Sequence, residues 1–231
     1  VAHSFPTRRS SDLYLGICVH KALELLYDEL SRGRRLTLAE LLDAFREAYN
    51  GGWDESIRRP NPKRTYDWGI REGEKALTWY YAEYFPFDQA ETLGLEVEVH
   101  CNIDGHRFVG HIDRLARTED GVYEIHDYKT SSQAPKQRQA DEDIQLALYE
   151  KAVKDTYPDA KEVHLIWHYV RVKKTILVTH TEEELDRILK GVVGRVEKLE
   201  FLGQHKALFP SHPSGLCPWC DYCDICPDAR R

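Results

Sequence analysis

Methionine is missing altogether from these 231 residues. So is any apolar run approaching the roughly twenty residues of a membrane span. The opening stretch Val1–Leu15 carries Arg8 and Arg9 but no apolar centre, which excludes a secretory signal. Positive charge is also in short supply. A formal net charge of −7 argues against a generally basic surface that coats nucleic acid nonspecifically. What remains, at 42% apolar and 31% charged residues, is the composition of a globular chain, expected to be cytoplasmic and without a membrane partner.

The acidic balance still permits chemistry on phosphate, because carboxylates that hold cations are themselves acidic. Phosphate contacts would then fall to local basic patches. Arg58, Arg59, Lys63 and Arg64 form one candidate, and Arg171, Lys173 and Lys174 another; a solvated surface is the alternative for both. The residues His3-Ser-Phe-Pro-Thr-Arg-Arg-Ser-Ser-Asp-Leu13 resemble one reading frame of a common sequencing-adapter oligonucleotide. With methionine absent, residues 1–13 are read as a non-native segment. The genuine protein is then expected to begin near Leu13 or Tyr14 and to be truncated upstream, and Val1–Asp12 to make no packed contacts. A natural disordered tail is the alternative.

Apolar residues at helical spacing predict a helix from Gly16 to Leu30. Thr37, followed three residues on by Glu40, predicts a capped helix to Tyr49. Asn50 to Tyr66 reads as a loop, and Trp68 to Phe85 as a third helix. The period then changes. Leu93–Val99, His106–Leu115 and Val122–Tyr128 read as strands, joined by turns at Asp104-Gly105 and Asp120-Gly121. A helix over Asp141–Asp155, strands over Glu162–Val170 and Thr175–Thr179, and a capped helix over Thr181–Phe201 complete the α/β pattern with a mixed sheet.

Chemistry concentrates on two of these strands. Asp113 lies on the second. Asp127 and Lys129, two residues apart at the end of the third, project to the same side. A meander sets Asp113 beside them. Two carboxylates alone would repel, and a Mg²⁺ or Mn²⁺ ion resolves that. Such a site suits phosphodiester hydrolysis, with Lys129 orienting a water and offsetting negative charge. Two exposed carboxylates beside a surface lysine are the plainer alternative.

The ordered set Gly16-x-x-x-His20, Gly110-x-x-Asp113-Arg114, Asp127-x-Lys129, Gln145-x-x-x-Tyr149 and a C-terminal cysteine cluster resembles the RecB-like branch of the PD-(D/E)xK nucleases. It is similar too to the nuclease domain of AddB-type helicase–nuclease subunits. The resemblance covers essentially all of Tyr14 to Cys226. It implies a restriction-endonuclease-like core of helix, three-stranded antiparallel meander, helix and strand, with extra helices. The nuclease domain would span 14–209, with a helical insertion at about 31–90, and a Cys-rich tail would span 210–231. It implies that His20, Asp113, Asp127 and the backbone carbonyl of Tyr128 hold the metal. Lys129 would be the catalytic lysine, and Gln145 and Tyr149 would shape the site and touch the DNA strand. Glu96 is a further candidate. His111 and His126 are read as structural, pointing away from the site.

The tail carries Cys217, Cys220, Cys223 and Cys226, a density that suggests a metal or iron–sulfur site rather than disulfides. The resemblance implies a [4Fe–4S] cluster on Cys217, Cys220 and Cys226, with a fourth ligand upstream of the first helix and Cys223 or Cys18 as substitutes. Convergence beside the Gly16–Leu30 helix is then expected. Zinc is the alternative. The function implied is a metal-dependent DNA exonuclease of recombination or repair, working on single strands or ends. No Walker A motif occurs, so any helicase would lie on another chain, as a partner subunit, or in the missing upstream part. A CRISPR-adaptation-type nuclease and a noncatalytic, iron–sulfur-stabilised DNA-binding subunit are the alternatives. The second is weighed against by the intact His20, Asp113, Asp127 and Lys129.

Overall fold

The computed structural model describes residues 10–54, 56–59, 61–205, 208, 210–215, 217, 220, 222–223 and 225–229. Two compact units divide the chain, Val1–Leu189 and Lys190–Arg231. The first contains α1 (Ser11–Ser31), α2 (Leu38–Gly52), α3 (Tyr66–Tyr84), β1 (Glu91–Ile103), β2 (His106–Arg117), β3 (Tyr123–Lys129), α4 (Gln137–Ala140), α5 (Ile144–Thr156), β4 (Val163–Tyr169) and β5 (Lys174–Val178). Helix α6 (Glu182–Gln204) starts in the first unit and continues into the second. Among the described residues, no helix is long and apolar enough to cross a membrane.

Helix α1 buries Leu15, Cys18, Val19, Ala22, Leu23, Leu26 and Tyr27, the three-and-four spacing of a helix with one apolar stripe. That stripe packs with Leu41 and Phe45 of α2 and Leu77 and Tyr80 of α3 in one core cluster. The start of α1 departs from expectation. Ser10 accepts the Leu13 N–H, Ser11 is fully buried and its N–H donates to the Arg58 carbonyl. Asp12 pairs with Arg64 and lies 3.7 Å from Arg171. Ser10–Asp12 therefore do make packed contacts; Val1–Arg9, Phe5 among them, lie outside the described residues.

The box predicted at Thr37 is present, with Glu40 Oε2 accepting the Thr37 N–H at 2.8 Å and Thr37 Oγ1 accepting the Glu40 N–H at 3.3 Å. α2 runs past Tyr49 through Gly51 and Gly52. Its last carbonyls have a partner that sequence alone does not reveal, since the Tyr14 hydroxyl donates to Ala48 O and Tyr49 O. Asp143 caps α5, so the helix predicted over Asp141–Asp155 starts at Ile144, and the short α4 before it is an element the sequence reading lacked.

The sheet has order β1-β2-β3-β4-β5. The expected meander of β1, β2 and β3 is antiparallel throughout, its first turn having positive φ at Asp104 and Gly105. β3 and β4 are parallel, because α5 carries the chain across between them. β5 returns antiparallel to β4.

Where β5 leads into α6, His180 Nδ1 meets Glu150 Oε2 at 2.7 Å, with both side chains 1% exposed. Lys154 lies on the other carboxylate oxygen at 2.7 Å. Burial lowers the His180 pKa, but the hydrogen bond and charge of Glu150 outweigh it, and the net shift is upward from 6.5. A raised folded pKa stabilises the fold below the unfolded value and loses that contribution as pH rises through the folded one. The stability advantage of wild type over His180→Gln is therefore expected to be larger at about pH 5.5 than at about pH 8.5. Denaturant titrations at both pH values measure it, and an advantage that grows toward alkaline pH would contradict the assignment.

In the second unit, the later turns of α6 are followed by a chain of tight turns. Cys220 N–H donates to Cys217 O, Cys223 N–H to Cys220 O, and Cys226 N–H to Tyr222 O.

Candidate active site

The site forms where two strands part. The β2–β3 ladder ends at Arg114↔His126, whereas β3 stays paired with β4 as far as Lys129↔Tyr169. Asp113 and Asp127 stand at the mouth of this fork. The Tyr128 N–H donates to Asp113 Oδ2 at 2.7 Å instead of to a further rung. The Tyr128 carbonyl contacts His20 Nε2 at 2.6 Å, and His20 Nδ1 lies 3.4 Å from Asp113 Oδ2.

Helix α1 can deliver His20 here because Gly16, one turn earlier, has no side chain. A Cβ at Gly16 would lie 2.9 Å from Thr130 Oγ1, just past the end of β3. That close approach is the physical content of the Gly-x-x-x-His motif. Glu96 arrives from β1. The pairs Leu95↔Arg114 and Val97↔Ile112 bracket it opposite Asp113, and its φ of +47° places it in the left-handed region. A non-glycine residue adopts that conformation only where its surroundings hold it. The result is that ligand atoms of His20, Glu96 and Asp113 lie within 4.8 Å of one another.

Asp127 is 3% exposed, and the Lys129 ammonium is 2.6 Å from its Oδ2. Burial pushes the Asp127 pKa up to about 6; the Asp113 charge adds to this, and Lys129 opposes it. Burial, followed by Asp113, also raises Glu96. For His20 burial works downward, but the hydrogen bond and charge of Asp113 leave the pKa raised. Lys129 Nζ donates to Gln145 Oε1 at 3.1 Å, Gln145 Nε2 donates to the Tyr149 hydroxyl at 2.8 Å, and that hydroxyl donates to the His111 carbonyl. The i,i+4 pair on α5 thus holds the lysine from behind.

One imidazole nitrogen with carboxylate and carbonyl oxygens is a donor set suited to a hard divalent cation. His20, Glu96 and Asp113 would hold it, with the Tyr128 carbonyl and Asp127 alongside. Asp127, buried and with its proton affinity raised, is a group that a nearby cation would neutralise in place of a proton.

Beneath the fork lies a buried polar layer on the opposite face of β3. Arg114 is 4% exposed, lies 3.9 Å over the Tyr27 ring and donates to Thr92 Oγ1 and the Ala90 carbonyl. His126 stacks on His168 with ring planes 8° apart and a 2.9 Å N···N contact. Burial drives both imidazoles well below the usual histidine range, so they stay neutral.

Two expectations, on His111 and on the basic patch residues, need correcting. His126 does point away from Asp127, but His111 is an even two residues from Asp113, so strand alternation does not turn it away. It is exposed, 3.6 Å from Glu98. The clustered ligand set includes Glu96, and Asp127 stands outside it, engaged by Lys129. Arg64 and Arg171 do not form a free basic surface. Both lie over the Trp68 ring, and Arg171, with its side chain 8% exposed, donates to the Thr130 carbonyl and contacts Glu72. Among the described residues, no three cysteines bring their sulfurs within 4.8 Å of one another. Glu96 was the hardest site residue to find from sequence, because its signal is a backbone irregularity inside an alternating strand.

Comparison with known proteins agrees with this geometry. The model of the PD-(D/E)XK nuclease superfamily matches residues 3–227. A crystal structure from Eubacterium rectale, described as a “Putative exonuclease”, is similar with a TM-score of 0.54 at 13% identity, covering 98% of this chain and 78% of that one. A second, SSO0001, has a TM-score of 0.34 at 14% identity over 100% of this chain and 91% of the other, too low to bear on the fold. No curated protein matches. The family match spans the fork, the lysine and the helix that carries His20, and the chain belongs to the PD-(D/E)XK nuclease superfamily.

Proposed function

We propose that this chain is a Mg²⁺- or Mn²⁺-dependent deoxyribonuclease of the RecB-like, AddB-related type. It acts as an exonuclease in DNA recombination or repair, working with a helicase. The observation that carries the reading is the His20–Glu96–Asp113 cluster, within 4.8 Å, at the same fork as Asp127 and Lys129. A divalent cation bound there supplies Lewis acidity toward a phosphate oxygen and a low-pKa water.

The chain's own groups do the rest. Lys129 has three N–H donors; one goes to Gln145 and the ammonium is ion-paired with Asp127, so a donor remains for the attacking water or a phosphate oxygen. Asp127 and Gln145 fix the ammonium so that it need not reorganise as negative charge develops. Tyr149 fixes Gln145 in turn. The likeness to the Eubacterium rectale protein supports the exonuclease reading through its printed description only.

The tail cysteines are assigned to a [4Fe–4S] cluster, with zinc as the alternative. The Ser214 N–H donates to Cys217 Sγ at 3.2 Å, the kind of hydrogen bond that tunes a cluster thiolate. Iron, zinc and acid-labile sulfide analysis of anaerobically purified protein tests this assignment. Stoichiometric zinc without sulfide would replace it.

The nuclease reading is tested with end-labelled single-stranded DNA. Cleavage is expected in Mg²⁺ and in Mn²⁺, loss of cleavage on EDTA, and recovery when Mn²⁺ is restored. Cleavage that survives chelation would rule out the metal-dependent mechanism.

A further inference from the structure

Two openings flank the Lys129–Gln145 contact, and they differ in character. On the α1 side a cleft of about 560 Å³ has His20, Lys21, Glu24, Glu96 and Lys129 in its lining. On the α5 side, past Gln145 and Tyr149, an open groove of about 390 Å³ contains no charged residue. Its walls include Phe108 of β2 and Ile144 and Leu148 of α5, with Cys101 of β1 beneath. Phe108, Ile144 and Leu148 are half-buried, so the apolar surface is open to a ligand.

A phosphate has no partner in such a groove, whereas the fork beside it is built of charge. A nucleobase fits instead. Its π-face matches the Phe108 ring and the aliphatic walls. Its polar edge can reach the Gln145 amide, which has a second N–H beyond the one given to Tyr149. The groove continues the Lys129–Gln145–Tyr149 chain, so an occupant would lie directly beside the fork. A base still paired and stacked in a duplex cannot enter; it must first be unstacked.

We propose that the groove between β2 and α5 is the subsite for the unpaired nucleobase adjoining the scissile phosphate. This rests on the nuclease reading above.

The test uses the full chain and a series of DNA single strands of one sequence, each with one abasic position, stepped along the strand relative to the cleaved bond. Wild type is expected to cut about tenfold more slowly when the abasic position adjoins that bond, since base–aromatic contact is lost there. Leu148→Trp fills the groove, and Ile144→Glu sets a carboxylate in its wall at the first turn of α5, where an acidic residue suits the helix. Both are expected to cut intact and abasic strands at equal rates. Wild-type cutting that ignores the abasic position at every step would overturn the subsite while leaving the nuclease standing. So would either folded variant keeping the wild-type ratio. Failure of wild type to cut any strand in Mg²⁺ or Mn²⁺ would remove the nuclease reading and the subsite together.

Discussion

Lys129→Ala is expected to lower DNA cleavage by about a thousandfold, and Asp127→Ala by at least as much, with the fold retained in both. The side chain of Lys129 is 29% exposed, so its loss leaves no large void. Its removal strips the Asp127 carboxylate of its ammonium in a site where Asp127 is 3% exposed. An isolated charge there would be costly, but Asp127 already has its pKa pushed up to about 6 and can take up a proton instead. The fold therefore tolerates the change and the chemistry does not. Removing one preorganised donor typically costs two to three orders of magnitude in rate (about 10²–10³). Here the donor also holds the geometry of Asp127 and Gln145. Single-turnover cleavage in Mg²⁺ and in Mn²⁺, alongside circular dichroism and thermal melts, decides the matter. Rates within a few fold of wild type for both folded variants would sink the assignment of the fork as the catalytic centre.

Gly73→Ala is expected to destabilise the protein by about 2 kcal/mol, against the ordinary helix preference, which favours alanine over glycine by about 1 kcal/mol. Gly73 sits mid-helix in α3, and a Cβ there would fall within the Phe45 ring of α2. Phe45 is fully buried in the cluster that also includes Leu23, Leu41 and Leu77, so the ring has nowhere to retreat. Gly69, one turn earlier, meets the Tyr49 ring in the same way. The two glycines let α3 pack closely on α2, and α1 with His20 rests on both. Urea titrations measure the loss. Pairing Gly73→Ala with Phe45→Leu, which frees space at the contact, is expected to recover part of it, as coupled neighbours do. A stabilised Gly73→Ala protein would mean that α2 and α3 do not meet as described.

Much of the site's chemistry is written in short spacings. Asp127 and Lys129 share a strand face because side chains alternate, and Gln145 and Tyr149 share a helix face because they are four residues apart. Both pairs are in hydrogen-bonding or ionic contact within the site. The same alternation separates His126 from Asp127. It offers no such argument for His111. It also says nothing of Glu96, whose left-handed φ interrupts the pattern that makes β1 readable.

The chain's own sequence determined what depends on near neighbours. The apolar stripes of α1, α2 and α3, the capping boxes at Thr37 and Thr181, the Asp104-Gly105 turn and the alternation of β1, β2 and β3 are each set by residues within about one or two turns of one another. Tertiary structure alone decided two things. The β2–β3 ladder stops at Arg114↔His126, and Glu96 comes into reach of His20. Each depends on where a strand stops pairing or on how closely α1 approaches the end of β3. Those are set by packing across the whole core, by contacts such as Gly16 on Thr130 and Arg114 over Tyr27, between residues far apart in the chain. Periodicity reports which way a side chain faces, but the distance between two faces is fixed only when both are packed.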